Sequence, residues 1–232
     1  MAKEGAMKLI IGNKNYSSWS LRPWIAMTMA GIAFEEEVIP LYEPGSPERV
    51  RRYSPAGKVP VLIDGDLRVW ESLAILEYLA ERFPQAGLWP DEVAARAHAR
   101  VVASEMHAGF AALRRACPMN FWLPPRPRPL SDEARADVRR IEALWADCRA
   151  RFGQDGGGPF LFGRFGAADA MYAPVVARFF NYDVAVSDVT RAYMDAVMAT
   201  PAWRAWRAAA LQEPWVMQGN EPDWPAVERL AV

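Results

Sequence analysis

The stretch from Gly57 to Pro84 constrains the fold more than any other part of the chain. Two short apolar segments, "VPVLID" and "LRVW", are rich in β-branched and aromatic residues, and the Gly-Asp pair between them is typical of a tight hairpin turn. The next segment, "ESLAILEYLAERFP", has apolar residues at helical spacing and stops before Pro84. We therefore predict two antiparallel strands followed by a helix.

Four further segments precede this unit and alternate between strand and helix patterns. We predict a strand, a helix, a strand and a short helix over "MKLIIG", "SLRPWIAMTMAG", "AFEEEVIPL" and "SPERVRRYS". Gly31 ends the first helix as a left-handed cap. Because proline is best tolerated in the first helical turn, Pro23 predicts that this helix begins near residues 20–22.

After Pro84 the pattern changes, and almost every segment is helical. "EVAARAHARVVASEMHAGFAALRRA" is predicted as one long helix and "SDEARADVRRIEALWADCRARFG" as another, with a proline-rich connection between them. A chain of 232 residues is long enough for two such units. We predict an α/β domain over residues 7–84 and an all-helical domain over residues 93–232. The tryptophans near the carboxyl end are predicted to pack onto the core: Trp203, Trp206, Trp215 and Trp224.

Composition and charge argue against several classes of function. The formal net charge is −1 and the sequence pI is about 6.2, which does not favour a nucleic-acid or membrane-surface binder. We find no apolar run of the length that spans a membrane and no secretory leader pattern. We expect a cytoplasmic protein with no nucleic-acid or membrane partner.

Metal and hydrolase chemistry also have little support. Cys117 and Cys148 are 31 residues apart without a C-x-x-C spacing, and the only histidines are His98 and His107. The "GxSxG", "GxGxxG" and Walker patterns are absent from the sequence. We predict no metal site, and we interpret both cysteines as small apolar residues in helices.

Three local features are consistent with either structure or ligand binding. Ser17, Ser18 and Ser72 each lie where a helix is predicted to begin, so each is either a helix cap or a group beside an anion site. Pro60 opens a strand, and spacing alone favours a trans Val59–Pro60 bond. These alternatives stay open on local pattern alone.

Taken together, the motifs "SSWSLRPWIAM", "GKVPVL", "ESLAILEYL" and "FGAADAMYAPV" resemble the cytosolic glutathione transferase superfamily in order and spacing. The first motif is similar to the serine-type zeta branch, whose pattern is Ser-Ser-x-Ser-x-x-x-x-Ile-Ala, and the chain looks like a bacterial member. The resemblance covers nearly the whole chain. It implies a thioredoxin-like domain followed by an all-helical domain, the glutathione transferase architecture.

The resemblance also implies a glutathione site. Ser17 matches the residue whose hydroxyl bonds the glutathione sulfur, and Ser18 lies beside it as a second catalytic candidate. Val59, before Pro60, is expected to pair its backbone with the cysteinyl unit, which makes the cis bond the expected form. The remaining candidates are Glu71 and Ser72 for the γ-glutamyl end and Lys58 for the glycine carboxylate.

Two positions depart from the family pattern. Trp19 stands where the zeta branch often has cysteine or proline, which puts zeta-type isomerisation in doubt. Gly166 stands where the family usually has serine or threonine three residues before Asp169, which we interpret as a structural aspartate of a capping box. We place Trp19, Tyr16 and His107 near a pocket for a second substrate. For His107, the alternative interpretation is a residue packed in the core.

The resemblance implies a homodimeric glutathione transferase that uses glutathione as co-substrate, without a metal, to attack a small apolar electrophile. A first alternative is glutathione-dependent cis-trans isomerisation of a maleylacetoacetate-type compound. A second is a non-catalytic interaction or regulatory module on the same fold.

Overall fold

The amino-terminal part of the chain forms a four-stranded mixed sheet with helices. The computed structural model describes residues 6–153 and 157–217. The strand order is β2-β1-β3-β4, with β1 parallel to β2 and antiparallel to β3. The elements are β1 (Lys8–Ile11), α1 (Ser18–Met29), β2 (Glu35–Val38), α2 (Ser46–Tyr53), β3 (Val61–Asp64), β4 (Leu67–Trp70) and α3 (Ser72–Arg82). The predicted element order and the thioredoxin-like fold are confirmed.

Alternation along the strands separates two apolar layers. Leu9 and Ile11 of β1 face the main core, whereas Ile10 faces a small cluster with Val61 and Val50, the latter from α2. Strands β3 and β4 meet through a turn at Gly65, whose φ of 58° lies in the left-handed region that glycine adopts readily. The predicted hairpin is confirmed.

Helix α1 begins earlier than the sequence indicates. The Ser17 side chain accepts a hydrogen bond from the Ser20 N–H and so starts the helix at Ser18, which leaves Pro23 inside the helix. A proline at this position removes one intrahelical donor but does not end the helix. Our expectation of a start at residues 20–22 is therefore wrong. Gly31 follows the last turn with a φ of 65°, as predicted.

The carboxyl-terminal part of the described chain is helical. After a short 3₁₀ turn over Pro84–Ala86, six helices follow among the described residues. They are α4 (Val93–Ala108), α5 (Ala111–Ala116), α6 (Asp132–Phe152), α7 (Ala167–Asn181), α8 (Asp188–Met198) and α9 (Pro201–Leu211). The two-part architecture is confirmed, while the domain limits at residues 84 and 93 stay a prediction.

The long helix predicted over residues 92–116 is broken. Helix α4 stops at Gly109, and Phe110 adopts a left-handed conformation with a φ of 61° before α5 begins. The Arg114 guanidinium turns back and donates to the carbonyls of Met106 and Gly109, which satisfies the last turn of α4. The break also buries the Phe110 ring.

The helical part packs directly against α1 and the loop before it. Trp206 Nε1 donates to the Lys14 carbonyl at 2.9 Å, and the Trp206 ring meets Trp24 edge-on at 5.1 Å. Trp203 is also buried, Trp215 is half-buried, and Trp224 lies outside the described residues. Within residues 6–153 and 157–217, no helix combines the length and apolar character needed to cross a membrane.

Candidate functional site

Two adjoining cavities lie between the amino end of α1, the loop before β3 and the beginning of α3. The larger has a volume of about 420 Å³ and includes Ser17 and Tyr16 in its lining, and the smaller has about 310 Å³ and includes Glu71 and Ser72. Three residues line both cavities, namely Trp19, Lys58 and Val59. These three residues therefore form the boundary between the two halves of one cleft.

Ser17 is a helix cap that also lies in a cavity wall. It is the N-cap of α1, the residue is 8 % exposed, and it lies in the wall of the larger cavity. Its hydroxyl oxygen is 2.7 Å from that of Ser20, and Ser20 also accepts a hydrogen bond from the Gly12 N–H at 3.0 Å. Ser18 is the first residue of α1 and lines the same cavity.

The loop between β1 and α1 is held from several directions. Asn13 Oδ1 accepts from the Leu41 N–H at 2.7 Å, and the Asn13 carbonyl accepts from the Ser17 N–H at 2.8 Å. The Glu213 carboxylate accepts from the backbone N–H groups of Lys14 and Asn15, at 2.6 and 2.9 Å. Burial raises the pKa of Glu213, opposed by these two hydrogen bonds. The Ser17 backbone is thus fixed by residues far apart in sequence.

The segment before β3 forms the opposite wall. The Val59–Pro60 peptide bond is cis, as the resemblance implies. Lys58 is exposed, and its N–H donates to Ser54 Oγ at 3.2 Å, so its side chain extends from a fixed backbone at the edge of both cavities. An ammonium group there can meet an anionic end of a ligand.

Glu71 and Ser72 occupy the beginning of α3. Glu71, with a φ of 67°, takes the N-cap position, so the alternative that Ser72 is the N-cap is wrong. The Glu71 side chain is half exposed, whereas Ser72 is fully buried with its hydroxyl accepting from Arg22 Nη1 at 3.4 Å. A carboxylate and a hydroxyl beside a helix amino terminus can receive an ammonium and a carboxylate group, respectively.

Arg22 is a buried cation behind this corner. It has no exposed surface, and its Nε and Nη2 have no hydrogen-bond partner in the described part of the chain. Burial lowers the pKa of Arg22 well below its usual value, and the positive charges of Arg114 and Arg178 add to this effect. The guanidinium lies 4.1 Å from the centroid of the Trp19 ring.

Trp19 is held among cationic and aromatic neighbours. The Arg114 guanidinium lies 5.0 Å from the Trp19 ring centroid, and His107 meets the ring edge-on at 5.1 Å. His107 Nε2 is 3.6 Å from a Glu71 carboxylate oxygen. Burial, followed by the charge of Arg22, lowers the pKa of His107 and favours the neutral imidazole. His107 therefore lies behind Trp19 and beside Glu71, whereas Tyr16 and Trp19 line the larger cavity directly.

Asp169 has the structural role expected of it. Its carboxylate accepts from the N–H groups of Leu161 and Gly166, at 3.0 and 2.9 Å, and from the Tyr193 hydroxyl at 3.0 Å. A Cβ atom added to Gly166 would be 2.8 Å from the Leu88 carbonyl oxygen. The close approach of this carbonyl explains the glycine in place of serine or threonine.

The described residues contain no group of three or more histidine, cysteine, aspartate or glutamate side chains arranged to hold a metal ion. Both cysteines are buried and free. Burial raises the pKa of Cys117 to about 11 and that of Cys148 to about 12, so both are neutral thiols near pH 7.

Sequence reasoning assigned no site role to three residues that support this cleft. Ser20 was visible in the Ser-Ser-x-Ser pattern, where a spacing of three places it one helical turn after Ser17. Arg22 had a weaker signal, a charge in an otherwise apolar helix. Glu213 had no local sequence signal, because its partners Lys14 and Asn15 are about 200 positions away.

Comparisons with known protein families cover most of the chain. The sequence model described as the glutathione S-transferase N-terminal domain matches residues 16–82. The model described as the glutathione S-transferase C-terminal domain matches residues 91–209.

Among curated relatives, a probable maleylacetoacetate isomerase of Caenorhabditis elegans is 35 % identical over 95 residues, which are 40 % of this chain and 44 % of the relative. A dichloromethane dehalogenase of Methylophilus leisingeri is 42 % identical over 60 residues, 25 % of this chain and 22 % of the relative. The chain thus matches less than half the length of each.

A solved theta class glutathione S-transferase of Xanthomonas axonopodis pv. citri, with glutathione bound, is 25 % identical to this chain. The superposition has a TM-score of 0.63 and covers 86 % of this chain and 96 % of that structure. The similarity includes both the sheet-containing part and the helical part.

Proposed function

The chain belongs to the glutathione S-transferase family, and from this we propose that it activates the glutathione thiol through the Ser17 hydroxyl. The observation that carries the proposal is the position of Ser17, at the amino end of α1 and in the wall of the larger cavity. The hydroxyl donates a hydrogen bond to the sulfur and stabilises the thiolate, while the thiol proton passes to solvent. The thiolate then attacks an electrophilic carbon; with an alkyl halide, the S–C bond forms as the carbon–halogen bond breaks and halide ion leaves.

The energetic requirement is modest. A thiol with a pKa near 8.5 is only about 3 % ionised at pH 7, and a decrease of about two pKa units corresponds to ~2.7 kcal/mol. A hydrogen bond to a charged group contributes about 1.5–3 kcal/mol, and the positive end of a helix adds to it. The Ser17 hydrogen bond and the positive end of α1 can together supply a stabilisation of this size, with Ser18 beside them as a supporting residue.

The γ-glutamyl end of glutathione is placed in the smaller cavity. In this proposal the Glu71 carboxylate receives the ammonium group, and the Ser72 hydroxyl donates to the carboxylate. Arg22 supports Ser72, because its guanidinium donates to Ser72 Oγ. The Ser72 hydroxyl donates to the Met171 sulfur at 4.0 Å, and on binding this weak acceptor is exchanged for the ligand carboxylate. The buried positive charge also favours an anion at this corner.

The other end of glutathione extends along the loop before β3. The backbone of Val59, next to Pro60, pairs with the cysteinyl unit, and the Lys58 ammonium group meets the glycine carboxylate. Both residues line the two cavities, so one extended tripeptide can contact them while its sulfur reaches Ser17.

A small apolar electrophile is proposed to bind beside the sulfur, against Tyr16 and Trp19. Both rings line the larger cavity, and Trp19 also lines the smaller cavity. His107 contributes from behind Trp19 by fixing the indole edge. The small electrophile is consistent with the similarity to a dichloromethane dehalogenase.

Glutathione-dependent cis-trans isomerisation is a second candidate, favoured by the similarity to a probable maleylacetoacetate isomerase. Trp19 argues against it, because the indole occupies space that a long diene dianion would need.

As further parts of the proposal, we retain the homodimer, the cytoplasmic location and the absence of nucleic-acid and membrane partners.

Binding to immobilised glutathione, followed by assays with alkyl halides, aryl halides and a maleylacetoacetate analogue, tests the proposal. We expect retention on the resin, turnover of at least one halide and a large loss of turnover in Ser17→Ala. Turnover of the diene alone would favour the isomerase. Failure to bind glutathione would overturn the proposed site and support a non-catalytic role.

A further inference from the structure

Ser20 is a buried hydroxyl group that the proposed glutathione site does not yet use. Its side chain has no exposed surface and belongs to the first turn of α1. The oxygen accepts a hydrogen bond from the Gly12 N–H at 3.0 Å, and it lies 2.7 Å from Ser17 Oγ. The Ser20 N–H also points to Ser17 Oγ, at 3.4 Å. Ser20 therefore contacts Ser17 through both its side chain and its backbone.

The donor and acceptor capacities of the two hydroxyls restrict their arrangement. Each has one hydrogen that rotates about its C–O bond, and each oxygen can accept two hydrogen bonds. When Ser17 is free of ligand, its hydrogen is available for Ser20 Oγ. When Ser17 donates to a thiolate instead, its oxygen loses none of its acceptor capacity. Ser17 Oγ, 2.7 Å away, is then an acceptor within reach of the Ser20 hydrogen.

We propose that Ser20 is a positioning residue that turns the Ser17 hydroxyl hydrogen toward the glutathione sulfur and strengthens it as a donor. The hydrogen bonds run in one direction, from the Gly12 N–H to Ser20 Oγ, from the Ser20 hydroxyl to Ser17 Oγ, and from the Ser17 hydroxyl to the sulfur. Accepting from Ser20 polarises the Ser17 hydroxyl, because hydrogen bonds in a chain reinforce one another in a site of low dielectric constant.

The backbone makes this arrangement rigid. Gly12 follows β1 directly, and Ser17 and Ser20 are one helical turn apart in α1, so the three groups are fixed by the sheet and by the helix. Adding a Cβ atom to Gly12 would place it 2.7 Å from Leu41 Cδ1, which shows how closely this backbone is packed. A side chain fixed in this way loses little entropy when the thiolate binds.

The inference rests on the proposed role of Ser17, and a set of variants separates the two. The measurement is the pKa of enzyme-bound glutathione, followed through the ultraviolet absorbance of the thiolate at saturating glutathione. The variants are Ser17→Ala, Ser20→Ala, the Ser17→Ala/Ser20→Ala double variant and Thr28→Val. Thr28 lies on the same helix and its hydroxyl donates to the Trp24 carbonyl, so it is a matched control away from the cleft.

We expect Ser20→Ala to raise the thiol pKa by about half to one unit, the usual size of one hydrogen bond. The thiol pKa of bound glutathione is expected to be the same in the wild type and in Thr28→Val. The double variant is expected to match Ser17→Ala alone, because Ser20 acts through Ser17. If Ser20→Ala does not fold, Ser20→Cys keeps a side chain of similar shape with a much weaker donor and provides the same test.

A purely structural role for Ser20 would lower the melting temperature and leave the thiol pKa of the folded variant unchanged, which would overturn the inference. A shift that adds fully to that of Ser17→Ala would also overturn it, since the effect would not pass through Ser17. If Ser17→Ala itself leaves the thiol pKa unchanged, the proposed function of Ser17 fails as well.

Discussion

The Ser17 hydroxyl has to satisfy a helix end and a ligand with a single group. As N-cap it accepts a hydrogen bond from the Ser20 N–H, and as the proposed thiolate partner it donates its hydrogen. The two tasks are compatible because a hydroxyl has one donor and two acceptor positions. A residue of this kind cannot be assigned from local pattern alone, since a serine before a helix predicts a cap with or without a ligand.

The buried Arg22 side chain is predicted to strengthen glutathione binding. Replacing it with methionine removes the donor to Ser72 and the buried positive charge, so glutathione should bind about five- to tenfold more weakly, corresponding to ~1–1.4 kcal/mol. The affected group is the α-carboxylate of the γ-glutamyl unit. A glutathione analogue that lacks this carboxylate should therefore bind the wild type and Arg22→Met almost equally, as measured by titration calorimetry.

Arg140→Met is the control for that experiment, because Arg140 is exposed and pairs with Glu105 on the helical part. Its affinity for both ligands should equal that of the wild type. Equal losses with both ligands in Arg22→Met would contradict the specific support of Ser72 and indicate a general disturbance of the cleft.

Among the elements, those with strong local signals were predicted best. The β3–β4 hairpin follows from a Gly-Asp turn and α6 from its helical sequence pattern, and both signals act within a few residues. The start of α1 and the break at Phe110 were missed for a different reason. Each depends on how one side chain is oriented, which residue type and periodicity do not specify: the Ser17 hydroxyl accepts from the Ser20 N–H, and the Arg114 guanidinium returns to the Gly109 carbonyl.

The amino end of α7 allows a stability prediction. Replacing Asp169 with asparagine puts an NH₂ group in place of an acceptor oxygen beside buried N–H and O–H donors. We expect the free energy of unfolding near pH 7 to fall by about 1–3 kcal/mol, measured by urea denaturation. Asp188→Asn, in the exposed first turn of α8, is the control and should change it by less than ~0.5 kcal/mol. A similar small change in Asp169→Asn would contradict the capping role.

The same carboxyl group predicts a pH dependence. Burial raises the pKa of Asp169 from its ordinary value of 3.8 to about 6. Between these values the folded protein binds more protons than the unfolded chain, so this contribution to stability is complete below pH 3.8 and is lost as the pH rises through about 6. Wild type should therefore lose stability relative to Asp169→Asn between pH 4 and 6 in parallel urea titrations. A constant difference would contradict the raised pKa.

At the scale of the whole molecule, the cleft depends on contacts between the two ends of the described chain. Trp206 and Glu213 reach the loop that carries Ser17, through the Lys14 carbonyl and the N–H groups of Lys14 and Asn15. No local pattern encodes such pairs, because the partners are about 200 positions apart. Motif order was enough to predict the architecture, but it could not predict how the helical part fixes the loop.

Glu213→Ala tests this coupling. Loss of the carboxylate frees the N–H groups of Lys14 and Asn15, so their amide hydrogens should exchange faster and kcat/KM should fall on the order of tenfold through poorer placement of Ser17. Glu133→Ala, at the exposed start of α6, should leave both measurements unchanged. Unchanged exchange at both amides in Glu213→Ala would show that the loop is held by other contacts.

The central claim is that Ser17 stabilises the glutathione thiolate. It is tested most directly by titrating the thiol of bound glutathione in the wild type and in Ser17→Ala, with binding measured separately to ensure saturation. We predict a wild-type thiol pKa about two units below the value of about 8.5 for a free thiol, and a rise of about one to two units in Ser17→Ala. Equal pKa values in the two proteins, with glutathione bound to both, would contradict the claim.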